Sequence, residues 1–228
     1  MDNNNKLPVR CLILDHDDTT VNSSPEVNYP AFVYIMEKLR PGVEYSYDSF
    51  VDACSDPGFV PYARETLGFT DEEMKWEAEN WLRFSRETVP TVFPGLERLV
   101  MRCRQAGIIL CVVSHSWEQI IVRDWQAGFG MLPDCIYDWN HASGKRKPDP
   151  FPVFDIMERF GLSPDEIVVA DDSVSGAEMA RLAGVRFVGV GWAHQAPGVK
   201  AKLCSAADGI NTFYFTSPAE LEELIFNE

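Results

Sequence analysis

The sequence predicts an α/β fold, a parallel sheet core carrying an inserted all-helical cap. Three observations predict it. From Gly95 onward, short apolar runs that read as buried strands alternate with helical patterns, as in a sheet covered by helices on both faces. Between Thr20 and Val92 the pattern is helical only, with no strand-turn-strand signal. The apolar runs also end in polar clusters, and open parallel sheets bind their ligands outside the carboxyl ends of their strands.

In chain order, Cys11-Leu12-Ile13-Leu14 reads as the first strand. Tyr29 to Leu39, Tyr47 to Cys54, Tyr62 to Leu67 and Asp71 to Glu87 read as helices of an insert that covers the site. Its expected boundaries lie near Val21 to Ser24 and Val89 to Pro94, which divides the chain into a core of residues 1–20 and 92–228 and a cap of residues 21–91. Leu96, Leu99, Val100 and Cys103 recur at helical spacing ahead of Gly107, and Ile108 to Val113 reads as a strand. Ser116 and Gln119 have the form of a capping box opening a helix through Ala127. Phe151 to Phe160 reads as a helix, Ile167 to Ala170 as a strand, and Ser175 to Ala183 as a helix ended by Gly184. Phe187 to Val190 completes the strands, and Ser217 with Glu220 announces a last helix over Pro218 to Phe226.

With 228 residues, 46% of them hydrophobic and 12% aromatic, the chain can bury one large core or a core plus a smaller insert. A net charge of -15 excludes broad electrostatic binding to nucleic acid or anionic membranes. Any anionic partner must then be met by local cations and metal. Cysteines 11, 54, 103, 111, 135 and 204 form no CxxC pair, which indicates reduced thiols and neither a disulfide framework nor a zinc site. Met1 to Lys6 lacks the apolar stretch of a signal peptide, and no run approaches the ~18 apolar residues of a membrane span. The expectation is a cytoplasmic monomer or small homo-oligomer.

The polar clusters carry the chemistry. Asp15 and Asp17 follow the first strand, where alternation gives them a common direction if the extended path continues. Two such carboxylates divide labour, one ionised as nucleophile or metal ligand and the other carrying the proton. Taken alone, the pair also fits a turn brace. Asp171-Asp172 supplies hard oxygens from a second strand end, with Gly176 allowing a close turn, and suits magnesium; the alternative is an N-cap pair. Ser114, before a helix start, can hold a phosphate oxygen or simply cap. Lys147, stiffened by Pro148 and Pro150, can neutralise charge between Asp15 and a phosphate.

This arrangement resembles the haloacid dehalogenase superfamily, in the helical-cap branch of phosphoglycolate phosphatase and β-phosphoglucomutase. Asp15, His16, Asp17, Asp18 and Thr19 match its first motif, and Ser114 its second. Lys147, Pro148, Pro150 and Gly161 match the third, and Asp171, Asp172, Ser173 and Gly176 the fourth, so that the likeness spans Leu12 to Val190. The resemblance implies a Rossmann-like core and magnesium-dependent hydrolysis of a small phosphorylated metabolite through an aspartyl-phosphate. A phosphomutase and a non-catalytic binder of a phosphorylated metabolite are the alternatives. Asp15 would be the nucleophile, Asp17 the acid and base, and Ser114, His115 and Lys147 the phosphate holders. Asp15, Asp171, Asp172 and the carbonyl of Asp17 would hold magnesium. Asp17 also favours phosphate chemistry over dehalogenation. Lys145 rivals Lys147 for the third-motif lysine, Asp18 stands where glycine is more usual, and His115 where many relatives have asparagine. Specificity would lie in the cap loop around Gly58 and Phe59, with Tyr62 and Arg64 nearby and His16 at the entrance. Phe59 and Tyr62 suit the cap's own small core better than substrate contact.

Overall fold

The computed structural model describes residues 9–194 and 198–226, so the leading Met1 to Lys6 lies outside the described residues. Strand β1 (Cys11–Leu14) leads into the cap, whose helices are α1 (Tyr29–Leu39), α2 (Tyr47–Ser55), the single turn α3 (Phe59–Pro61) and α4 (Asp71–Glu87). The core resumes with α5 (Leu96–Gln105), β2 (Ile109–Val113), α6 (Glu118–Phe129), β3 (Cys135–Tyr137), α7 (Phe151–Phe160), β4 (Ile167–Asp171) and α8 (Val174–Ala183). It ends with β5 (Arg186–Val190), α9 (Val199–Ala206), β6 (Thr212–Phe215) and α10 (Pro218–Phe226). The strands form one six-stranded sheet in the order β3-β2-β1-β4-β5-β6, every pairing parallel. The expected α/β sheet with a helical insertion between β1 and β2 is therefore the observed fold.

Alternation along the strands builds two cores. Leu12, Leu14, Leu110, Val112, Val168 and Ala170 face α5, α6 and α10, while Cys11, Ile13, Cys111, Val113, Ile167 and Val169 face α7, α8 and α9. The cap has its own core around Phe32, Ile35, Met36, Phe50 and Phe69. Chain crossings between cap and core meet at Val21, which bridges Val92, and at Asn22, whose N–H donates to Thr91 O at 2.8 Å. Glu26 braces the same crossing by accepting from the N–H and hydroxyl of Thr91.

Several local expectations need correction. Ser116 does not cap α6: the helix opens after Trp117, and Asp138 Oδ2 accepts from Glu118 N at 3.0 Å instead. Asp171 and Asp172 are not the N-cap of α8, because Ser173 takes that place and accepts from Gly176 N. The segment expected as a helix from Tyr62 begins earlier, at Phe59, and passes into a wide turn through Thr66. Edge strands β3 and β6 and helix α9 add to the elements expected from the sequence. Among the described residues no helix is long and apolar enough to cross a membrane.

Candidate active site

Register sets the site. Leu14 lies between Val112 of β2 and Ala170 of β4, so Asp15, Ser114 and Asp171 emerge together at the carboxyl edge of the central strands. Asp15 N donates to Ala170 O at 3.0 Å, and Ser114 N donates to Tyr137 O at 2.9 Å, which pins both turns to the sheet. Thr20 Oγ1 donates to Asp15 O at 2.5 Å and closes the loop behind the first motif.

Lys147 is the cation at the centre. Its Nζ donates to Asp171 Oδ2 at 2.8 Å and stands 3.0 Å from Asp15 Oδ1, an ionic contact without hydrogen-bond alignment that leaves this oxygen free of hydrogen bonds. Burial opposes charging of Lys147, but Asp15 and Asp171 overcome it and hold the ammonium above its ordinary value. Burial raises Asp15 against the pull of Lys147, with the charges of Asp172 and Asp17 adding to the rise. Asp171 is pushed up to about 6 by burial and by Asp15, despite Lys147 and the Ser173 hydroxyl. Lys145 stands elsewhere, exposed, with its Nζ 4.5 Å from the centre of the Phe151 ring.

The carboxylates of Asp15, Asp171 and Asp172 are buried and offer oxygens within 4.8 Å of one another. Three hard acidic donors against one ammonium leave an excess of buried negative charge, with one Asp15 oxygen unbonded. That donor set fits a magnesium-sized cation. The side chain of Asp17 belongs to neither of the two groups of converging ligands, so any part it has in such a site falls to its carbonyl. The second group joins Asp18, Asp172 and His194. No sequence motif marks His194, yet its Nε2 lies 3.3 Å from Asp172 Oδ2 and 3.9 Å from Asp18 Oδ2. Burial opposes its charging, but Asp172 and Asp18 together hold its imidazole above the ordinary value. Asp18 has φ 53, the left-handed region that explains why glycine is usual there, and its Oδ1 accepts from Ser24 N at 2.9 Å.

His115 sits at the rim, its Nε2 2.8 Å from Lys147 O and its ring edge-on to Trp139. Loss of water around the ring, and then the Lys147 ammonium, hold it below the ordinary imidazole value. Ser114 Oγ accepts from Ser116 N at 3.1 Å, which orients the hydroxyl beside the same loop.

Two residues expected to meet substrate are placed otherwise. His16 is fully buried on the opposite side of the strand path from Asp15, with Nε2 3.1 Å from Asp124 Oδ2 of α6. Strand alternation already carried that signal, since residue 16 follows Leu12 and Leu14 toward α6. Arg64 is exposed, tied to Asp71 at 2.7 Å and to Phe69 O at 3.3 Å, and so serves the cap's own surface. Phe59 and Tyr62 pack against Phe32 in the cap core. Gly58, with φ 97, turns the chain between α2 and α3.

Gly176 is dictated by the site. A Cβ there would overlap the Asp171 carboxylate, whose Oδ1 accepts from the N–H and hydroxyl of Ser173. Gly176→Ala is expected to push Asp171 off Lys147 and to cost about 1–3 kcal/mol, read by urea unfolding. A midpoint equal to that of the wild type would contradict this packing.

Comparison with known proteins agrees with this geometry. A model of haloacid dehalogenase-like hydrolases matches residues 12–190. The phosphoglycolate phosphatase of Thiobacillus denitrificans is 25% identical over 201 residues, covering 78% of this chain and 81% of its own. CbbY of Rhodobacter sphaeroides, solved in complex with xylulose-(1,5)-bisphosphate, superposes with a TM-score of 0.71 at 18% identity, covering 93% of this chain and 96% of its own. A hydrolase of Deinococcus radiodurans with bound phosphate and sodium gives a TM-score of 0.71 at 20% identity, covering 96% of each chain. The match across nearly the whole core, together with the fold, places this chain in the haloacid dehalogenase-like hydrolase family.

Proposed function

We propose that the protein is a magnesium-dependent phosphatase that hydrolyses a small phosphomonoester through an aspartyl-phosphate, as in its phosphoglycolate phosphatase relatives. The observation that carries this is the buried contact of Lys147 with both Asp15 and Asp171 at the carboxyl edge of the sheet. Asp15 attacks phosphorus through its carboxylate, while Lys147 and Ser114 hold the phosphoryl oxygens and His115 flanks them. Asp17, half-buried on the same loop, gives the leaving oxygen its proton and later takes one from the hydrolytic water. Asp15, Asp171, Asp172 and the carbonyl of Asp17 would hold magnesium, which supplies positive charge against the meeting of two anions.

The test is phosphate release from a panel of small phosphomonoesters, with and without magnesium. Turnover is expected with magnesium, is lost on chelation by EDTA and returns when the cation is restored. Equal release in EDTA would overturn the metal assignment, and no release from any ester by the folded protein would overturn the phosphatase.

A further inference from the structure

The end of the longest cap helix is capped from the core. The last carbonyls of an α-helix have no partner within it. At α4, Ser85 O and Thr88 O both accept from the guanidinium of Arg123 on α6, the Thr88 bond at 3.1 Å. A cation there also suits the negative end of the helix dipole. Thr88 opens the second crossing between cap and core, just before Thr91, which accepts from Asn22 N, and Val92, which bridges Val21. Arg123 therefore grips the cap beside its hinge.

The same guanidinium reaches inward. Its Nε donates to Asp124 Oδ1 at 2.7 Å, and Nη2 stands 2.6 Å from the same oxygen. Asp124 is fully buried, and its other oxygen lies 3.1 Å from Nε2 of His16, the residue between Asp15 and Asp17. The His16 carbonyl accepts from Thr20 N at 2.9 Å and from Val21 N at 3.1 Å, which folds the loop that carries both aspartates. Among the described residues His16 Nδ1 has no hydrogen-bond partner, so the polar hold on the ring is the one from Asp124. A buried acid and a buried imidazole cost stability unless they are bonded, and apolar side chains would fill the same space without that cost. What the polar series adds is direction, since one arrangement of loop, α6 and cap end makes all of these bonds.

We propose that Arg123 is a positioning residue that couples the cap to the catalytic loop: it caps α4 while bracing Asp124, and Asp124 holds His16 so that Asp15 and Asp17 are aligned when the cap is seated. Neither end of the series can shift without straining a bond shared with the other. Seating the cap and setting the loop are then one event. The kinetic consequence rests on the phosphatase reading above, whereas the coupling itself does not.

Hydrogen exchange read by mass spectrometry tests the coupling on the full chain, in the wild type, Arg123→Gln, Asp124→Asn and Arg123→Lys. The segments followed are the loop, 15–22, the cap end, 84–92, and strand β4, 167–171, as the gauge of global opening. Arg123→Gln and Asp124→Asn are each expected to speed exchange by about tenfold or more in both loop and cap end, the size of one hydrogen bond to a charged group, with β4 within about threefold of the wild type. Should Arg123→Gln loosen the cap end alone and Asp124→Asn the loop alone, or should β4 accelerate equally, the proposal is overturned. Arg123→Lys keeps a cation beside Asp124 and so guards against a variant that fails to fold. Without the fork that spans two carbonyls it is still expected to speed both segments by about threefold, and unchanged exchange overturns the proposal. Phosphate release from acetyl phosphate with magnesium reads the consequence for the reaction. In Arg123→Gln, kcat is expected to fall by about tenfold with KM within about threefold, because no contact with substrate is lost. A raised KM at unchanged kcat overturns the positioning role, and no release by the wild type overturns the phosphatase reading while the exchange result decides the coupling.

Discussion

Asp15→Asn is expected to lower phosphate release by about 10⁴-fold or more with every ester, because a nucleophile that forms the covalent intermediate has no substitute in the site. The nearest carboxylates are engaged elsewhere. Asp171 is bonded on one oxygen by Lys147 and on the other by Ser173, and Asp172 meets Thr19 and His194. Asp15 Oδ1, at the strand edge, accepts no hydrogen bond. The fold should survive, since Asn is isosteric and removes a charge that burial, Asp172 and Asp17 all disfavour. The thermal midpoint is therefore expected to equal or exceed that of the wild type, the trade of stability for activity common at strained sites. Phosphate release together with mass analysis of acid-quenched protein checks both halves. A phosphorylated peptide containing residue 15 should be present in the wild type and missing in Asp15→Asn. Residual turnover within about tenfold of the wild type would remove Asp15 from the covalent step.

The parts of this arrangement that were legible in the sequence are those fixed locally. Strand β1 is a fully buried apolar run, α4 opens on a complete capping box of Thr70 and Glu73, α7 stops at the left-handed Gly161, and Ser217 with Glu220 opens α10, so those limits follow from local signals. Strand β3 is only three residues long, and β6 is half-buried throughout at the sheet edge, so neither has the apolar run of a central strand. The first turn of α6 is satisfied by Asp138 from a distant loop, which no local pattern announces. The same distinction separates the site residues. Asp15, Lys147, Asp171 and Asp172 follow strands whose ends the sequence marks. His194 gains meaning only from tertiary neighbours, carboxylates that lie far back in the chain. His16 is the instructive exception. Its environment was readable from alternation, but its place between two aspartates draws attention to the wrong side of the strand.

The largest effect on stability is expected at Lys147. Its side chain is 3% exposed, and its ammonium is the partner of two buried carboxylates, Asp15 at 3.0 Å and Asp171 at 2.8 Å. Lys147→Met keeps an unbranched side chain one atom shorter and removes the charge, leaving two buried acids to repel one another, a loss of about 3–5 kcal/mol at neutral pH. The sign of the pH dependence follows from the carboxyls. Asp171 already stands at about 6 with the lysine present, above its ordinary value, so the folded state holds a proton there that the unfolded chain releases. Removing Lys147 raises Asp171 and Asp15 further. The penalty is then absent below the unfolded carboxylate range, near pH ~4, and grows as pH rises through the raised folded values. Urea unfolding of Lys147→Met should therefore approach the wild type in acid and fall away from it toward neutrality. Combining it with Asp15→Asn should recover part of the loss, because one of the two unpaired acids is gone and the pair no longer repels. A constant difference across pH, or strict additivity of the two substitutions, would mean that Lys147 contributes packing alone and that the acids do not depend on its charge.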